Sequence, residues 1–272
     1  ALGGADYVIT EAGFAFDLGG EKFLDIKCRV AGLNPAAIVV VATIRALKMH
    51  GGKSLKEISD PDPQAVEAGL ENLEAHLDAA SHFQRPLVVA INRFSADTSE
   101  EIKTVEAFCQ TKGIPCVLSD GYAQGGPGAA DFAEAVVEAA ARKSPPLEFI
   151  YPTDSQSIPD KINAVARKIY GADGVVFSPL AEKRLKRIQK LGLSHLPVCM
   201  AKTQNSLSDN ASLLGRPRGF QITVRDFEIA SGAGFIVALT GDLLRMPALP
   251  KKPAAESINL DTDGNITGLM AG

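Results

Sequence analysis

The sequence predicts an α/β fold, on three observations. Short apolar runs alternate with segments of helical period as far as about Leu196. The strongest run, Ala36 to Val41, is continuously apolar and rich in β-branched residues, the pattern of a strand buried on both faces of a parallel sheet. After Leu196 the period changes. Gln221 to Ile229, Phe235 to Thr240 and Ser257 to Leu260 alternate between turns rich in Gly, Pro and Asp, which predicts an irregular, partly antiparallel tail.

In chain order, strands are expected at Tyr7 to Thr10, Ala37 to Ala42, Leu87 to Asn92, Pro115 to Ser119, Glu148 to Tyr151 and Gly174 to Phe177. Between them, Gln64 to Ala80 repeats Val66, Leu70, Leu73 and Leu77 at helical spacing. Ser99 to Lys112 and Ala129 to Lys143 carry acids near their starts and bases near their ends, as the helix dipole favours. Ser157 to Ile169 and Ala181 to Leu191 read as two further helices, and Asp263-Gly264 as a hairpin turn. The cluster Ser59 to Pro63 marks the expected boundary. It divides a sheet fragment, residues 1–63, from a second α/β domain, residues 64–272.

Apolar residues make up 46% of the chain and charged residues 22%, an ordinary globular balance. A net charge of -4 argues against a nucleic-acid binder, which needs a cationic face. No stretch approaches the roughly 20 apolar residues that span a bilayer, so no membrane partner is expected. Cys28, Cys109, Cys116 and Cys199 are scattered in apolar contexts without metal-ligand spacing, so no metal site is assigned and a reduced compartment is expected.

The chemistry gathers where strands end. Thr43, Arg45, Lys48 and His50, followed by Gly51-Gly52, stand directly after the strongest strand. In open α/β sheets that edge is where ligands bind, and three potential cations there suit a small anion such as a phosphate. A helix with a solvated basic face is the other reading. Asn92-Arg93-Phe94 follows the next strong strand, and Tyr122 lies beyond Pro115 to Ser119. Two aromatic rings on loops at one sheet edge could sandwich a flat heterocycle; alternatively each plugs a gap between helix and sheet. Lys202, Arg216, Arg218 and Arg225 could bind an anion but read rather as surface or interface pairing partners, and the four histidines show no triad arrangement.

Long blocks are spread over the whole chain: Asp6 to Phe14, Glu21 to Arg29, Ala42 to Gly52, Ala90 to Phe94, Tyr170 to Val175, Cys199 to Gln204, Leu214 to Pro217, Ala233 to Val237 and Met246 to Lys251. Together they resemble the formate–tetrahydrofolate ligase family. The resemblance implies a mostly parallel sheet like part of a P-loop NTPase. It also implies ATP-dependent ligation of formate to tetrahydrofolate through formyl phosphate, a reaction of one-carbon metabolism. ATP with magnesium would be co-substrate, a monovalent cation a possible activator, the oligomer a tetramer of identical chains, and the location cytoplasmic. It places the folate-stacking pair at Phe94 and Tyr122. The candidate nucleotide- or anion-binding set is Phe14, Thr43, Arg45, Lys48, Asn92 and Arg93; no catalytic residue is assigned.

The chain departs from the family pattern in four places. Ala15 and Phe16 stand where the family has Gly and Ala, Tyr122 where bacterial members have Trp, and Gln124 where they have Lys. A bend at position 15 requiring positive φ would be strained by Ala. The family's phosphate-binding string, Gly-x-x-x-x-Gly-Lys-Ser/Thr, does not occur, and Gly19-Gly20 and Gly125-Gly126 lack the following Lys-Thr. The chain therefore reads as the carboxyl-terminal half of a longer enzyme, inactive without its amino-terminal half. The alternative is a non-catalytic folate- or nucleotide-binding scaffold degenerate from the ligase.

Overall fold

A computed structural model describes residues 1–241, 252–262 and 264–268. It has two units, Ala1–Asp242 and Leu243–Gly272. The larger holds two open sheets. The first is entirely parallel, in the order β1 (Ile38–Ala42), β2 (Leu87–Asn92), β3 (Cys116–Ser119). The second is mixed, in the order β4 (Gly174–Phe177), β6 (Gln221–Ala230), β7 (Phe235–Thr240), β5 (Val198–Ala201). Its outer pairs are parallel and β6 with β7 antiparallel, so the tail's expected antiparallel character sits in the sheet centre. In the smaller unit β8 (Asn259–Leu260) pairs antiparallel with β9 (Ile266–Thr267) across the expected hairpin. Asp263 and the block Met246 to Lys251 lie outside the described residues.

The chain enters through π-helical turns, Phe16–Gly20 and Phe23–Cys28, which run into α1 (Arg29–Ala31). After β1 come α2 (Ile44–His50) and α3 (Pro63–Ser81); α4 (Ser99–Thr111) separates β2 from β3. α5 (Gly121–Gln124), α6 (Ala130–Ala141), α7 (Ile158–Lys168) and α8 (Pro179–Lys190) follow. The starts of the long helices are written in the sequence. Asp62 caps α3 and Ser178 caps α8, each with a proline at the first position, Ser157 caps α7 with Pro159 at the second, and Thr98 with Glu101 forms a capping box on α4. Val66, Leu70, Leu73 and Leu77 face β1 and β2 in one core, with Ile44 and Val105. A second core joins α7, α8 and the mixed sheet, and Phe16 packs against both.

Two expected strands are corrected. Residues 7–10 form no strand: Tyr7 and Ile9 are exposed, with no neighbouring strand to take their hydrogen bonds. Residues 148–151 are also irregular, although Ile150 and Tyr151 are buried. Side-chain bonds replace a ladder there: Ile150 N–H donates to Asp25, and the Tyr151 hydroxyl accepts from Val198 N–H and donates to Val198 C=O. A third correction concerns β1, expected to be buried on both faces. It is an edge strand, and Val41 is 62% exposed. β1 pairs in register with β2, so the parallel sheet runs across position 63.

Candidate functional site

Register alone brings the candidate loops together. Ala42 pairs with Ile91, and Ile91 with Leu118, so the three parallel strands end level. Thr43, Arg93-Phe94 and Asp120-Gly121-Tyr122 therefore emerge at one edge, on the side where α/β sheets bind ligands. Thr43 begins α2, its hydroxyl accepting from Ala46 N–H at 3.1 Å. Asn92 closes β2 opposite Ser119. Phe94 sits in a turn fixed by Asp97, whose carboxylate accepts its N–H at 2.8 Å. The Arg45 guanidinium lies 5.2 Å from the centre of the Phe94 ring, a cation–π contact that leaves its donors available. Among the described residues Arg45 makes no ion pair.

Arg93 and Gln124 do something the sequence reading did not expect. Both donate to the same oxygen of Asp120, Arg93 at 3.3 Å and Gln124 at 2.7 Å. Asp120 thus links the turn carrying Phe94 to the helical turn carrying Tyr122. Tyr122 projects into solvent at 93% exposure, while Phe94 is half-buried. The amide of Gln124, where the family pattern has Lys, is used on this link.

Lys48 is not part of the rim. Its side chain is fully buried, and its ammonium donates to Glu101 at 2.9 Å and to the Asp60 carbonyl at 3.0 Å. Three residues apart on α2, Arg45 and Lys48 share a face of the helix, but Lys48 turns inward to its buried partner Glu101. An added Cβ on Gly69 would lie 2.0 Å from the Leu47 carbonyl oxygen, so the backbones touch. Burial acts to raise the Glu101 carboxyl, but hydrogen bonds from Asp62 N–H, Lys48 and Thr98 outweigh it and bring the group down to about 2.

The first loop also differs from expectation. Ala15 has an ordinary extended backbone, φ -79°, so its side chain causes no strain. The left-handed residue is Phe14, φ 62°, with its ring 66% exposed. The Phe16 ring meets Phe83 edge-on at 5.9 Å within the core. Asp17 is a buried ion-pair partner of Lys202 at 2.7 Å. Lys202 is therefore a core residue, and Arg216 pairs with Glu74 and Asp78.

Beneath the strand end lies a cavity of about 160 Å³, lined by the end of β1 and by α2, α3, Ala15, Asp17 and residues 204–207. It has room for a few waters or a small polyatomic ion. His50 and His76 line it. His50 Nδ1 accepts Gly215 N–H at 3.1 Å, which puts the proton of the neutral ring on Nε2. His76 Nδ1 has no partner among the described residues. Burial lowers both histidines, and their proximity lowers His50 further, which favours the neutral rings. The sequence reading passed over this pair. Its signal was Asn72 and His76, four residues apart, interrupting the apolar stripe of α3. Gly52-Lys53-Ser54 was also passed over as a partial phosphate-loop string. It follows a helix rather than a strand, and Lys53 pairs with Asp62 at 2.6 Å.

A sequence model described as formate–tetrahydrofolate ligase matches residues 1–270. The chain belongs to that family. It is similar to the formate–tetrahydrofolate ligase of Myxococcus xanthus (strain DK1622), 48% identical over 271 residues, 98% of this chain and 49% of the relative. The chain thus spans about half the length of the curated relative it matches. Among the described residues no helix is long and apolar enough to cross a membrane.

Proposed function

We propose that this chain supplies the folate-facing part of an ATP-dependent formate–tetrahydrofolate ligase. The observation that carries the reading is the shared edge: two aromatic loops follow adjacent parallel strands and are bridged through Asp120. Phe94 and Tyr122 would offer ring faces to the pterin, a contact worth about 0.5–1.5 kcal/mol beyond burial. Tyr122, already in solvent, would gain cover only on binding. Arg45, held on Phe94, would meet an anionic group of folate or nucleotide. Thr43, Asn92, Arg93 and Phe14 would complete the rim.

In the proposed reaction a formate oxygen attacks the γ-phosphorus of magnesium-bound ATP, ADP leaves, and formyl phosphate results. The folate N10 amine then attacks the formyl carbon, releasing phosphate and a proton. Such steps need positioning and charge neutralisation more than a protein nucleophile. The nucleotide phosphates would be held by a part of the enzyme outside this chain, whose relative is about twice as long. Assembly of identical chains as tetramers, activation by a monovalent cation and a cytoplasmic location belong to the same proposal.

Calorimetric titration of Phe94→Ala and Tyr122→Ala with tetrahydrofolate tests it. Each is expected to weaken folate binding by about fivefold or more, in line with a lost stacking contact, while ATP binding changes little. Unchanged folate affinity in both variants would remove the stacking pair from the reading.

A further inference from the structure

The helix that starts at Phe16 carries Asp17, Glu21 and Asp25 at four-residue steps, and all three side chains are buried. Asp17 has its counter-ion in Lys202. The other two have only more distant cations. Glu21 is 0% exposed, its nearest cation is Lys22 Nζ at 3.6 Å, and among the described residues neither of its oxygens has a hydrogen-bond donor. Asp25 is also 0% exposed. Its Oδ1 accepts Ile150 N–H at 2.9 Å and faces Arg29 at 3.5 Å, while Oδ2 has no partner.

Two ionised carboxylates cannot share such a place without strong mutual repulsion and unmet desolvation. We propose that Asp25 and Glu21 hold one proton between them at neutral pH, Asp25 Oδ2–H donating to the Glu21 carboxylate. One proton gives partners to Oδ2 and to one Glu21 oxygen, and it removes the repulsion. The Tyr170 hydroxyl is likewise buried without a partner among the described residues, and the Glu21 charge acts on it. Burial raises both carboxyls, and the charge of Glu21 lifts Asp25 further.

The surrounding groups set the balance. On the same helix stand Asp17, Lys22 and Arg29; from other elements come Tyr151, Tyr170, Cys199 on β5 and Lys202. Among the described residues Lys22 and Arg29 are the cations paired with the two carboxylates, and Lys202 is committed to Asp17. Asp25 lies in the second π-helical turn and Glu21 between the two, while Asp17 of the first turn and Ala15 before it line the cavity wall. π-turns of this kind recur where helices are bent to serve a site. The pair stands whether or not the cavity takes a ligand.

Infrared spectroscopy of the wild-type chain at pH 7 tests the proposal directly. A protonated-carboxyl C=O band that shifts in deuterium oxide is expected, lost in Asp25→Asn and shifted in Glu21→Gln. Urea titrations give the second readout. The folded chain holds the proton more tightly than the unfolded one, so wild-type stability declines as pH rises above about 4, the unfolded carboxyl value. Asp25→Asn keeps an N–H donor toward Glu21 and cannot ionise, so its midpoint is expected to fall less between pH 5 and 8. Absence of the band, or a band that neither variant alters, overturns the proposal. Should neither variant fold, the wild-type band decides by disappearing, or failing to disappear, as pH is raised.

Discussion

Glu101 shows how a residue that reads as one more helix-start acid can carry much of the local structure. It closes the capping box of α4, accepts Asp62 N–H at the start of α3, and neutralises the buried Lys48. Glu101→Gln would leave Lys48 as a buried charge without its partner, and breaking such a pair costs about 3–5 kcal/mol. That loss should appear as a lowered urea midpoint at pH 7. Lys48→Met in the same chain should recover part of it, since a neutral pair of similar volume is tolerated. The pH dependence has a definite sign. The folded Glu101 carboxyl lies at about 2 and the unfolded one near 4.3, so its contribution is present above the unfolded value and disappears as pH falls toward the folded one. Acid titration should therefore show a shallower decline in Glu101→Gln than in wild type. Phe14 gives a contrasting case. Its left-handed backbone costs about 1–2 kcal/mol, and its ring is exposed, so strain is held without a packing return. Phe14→Gly should raise the melting temperature and, if the ring serves the proposed nucleotide site, weaken ATP binding. A lower melting temperature would mean that the ring has a structural contact role instead.

At the scale of elements, legibility followed period and caps. β2 and β4 matched their expected bounds because continuous apolar runs ended in polar or turn residues, and the long helices matched because stripe and cap agreed. The failures have a physical pattern. Residues 148–151 carry strand-like residues but are held by the carboxylate of Asp25 and the hydroxyl of Tyr151, side-chain bonds that no local window reveals. Residues 16–28 depart from the ordinary helical repeat because the helix is wound as π-turns around buried carboxylates. At the candidate site, strand-end placement was legible for Thr43, Arg45, Asn92, Arg93 and Phe94. The fate of Lys48 was not, because it depends on Glu101 fifty-three residues away. Close packing of α2 on α3 yields a sharp test. Gly69→Ala would gain up to about 1 kcal/mol of helix propensity, yet its Cβ would fall 2.0 Å from the Leu47 carbonyl oxygen. Overpacking should win, with a net loss of about 1–2 kcal/mol measured by urea unfolding. A stabilised variant would show that α2 can shift away from α3.

For the whole molecule, the question is which parts of the proposed reaction this chain can perform. Among the described residues the parallel sheet has three strands, β1 is at its edge, and Val41 there is 62% exposed. An apolar side chain on an open strand edge is a natural place for further sheet to pair. The cations near the site are mostly committed within the chain: Lys48 to Glu101, Lys53 to Asp62, Lys202 to Asp17 and Arg93 to Asp120. Arg45 alone cannot orient a triphosphate, and no complete phosphate-loop string occurs in the 272 residues. The chain by itself should therefore give no 10-formyltetrahydrofolate from formate, ATP, magnesium and tetrahydrofolate. Adding the amino-terminal half of a family member should restore product, and Phe94→Ala should abolish most of that restored activity. Turnover by the isolated chain would refute this division of labour and require a phosphate site built from Arg45 and the cavity below Thr43.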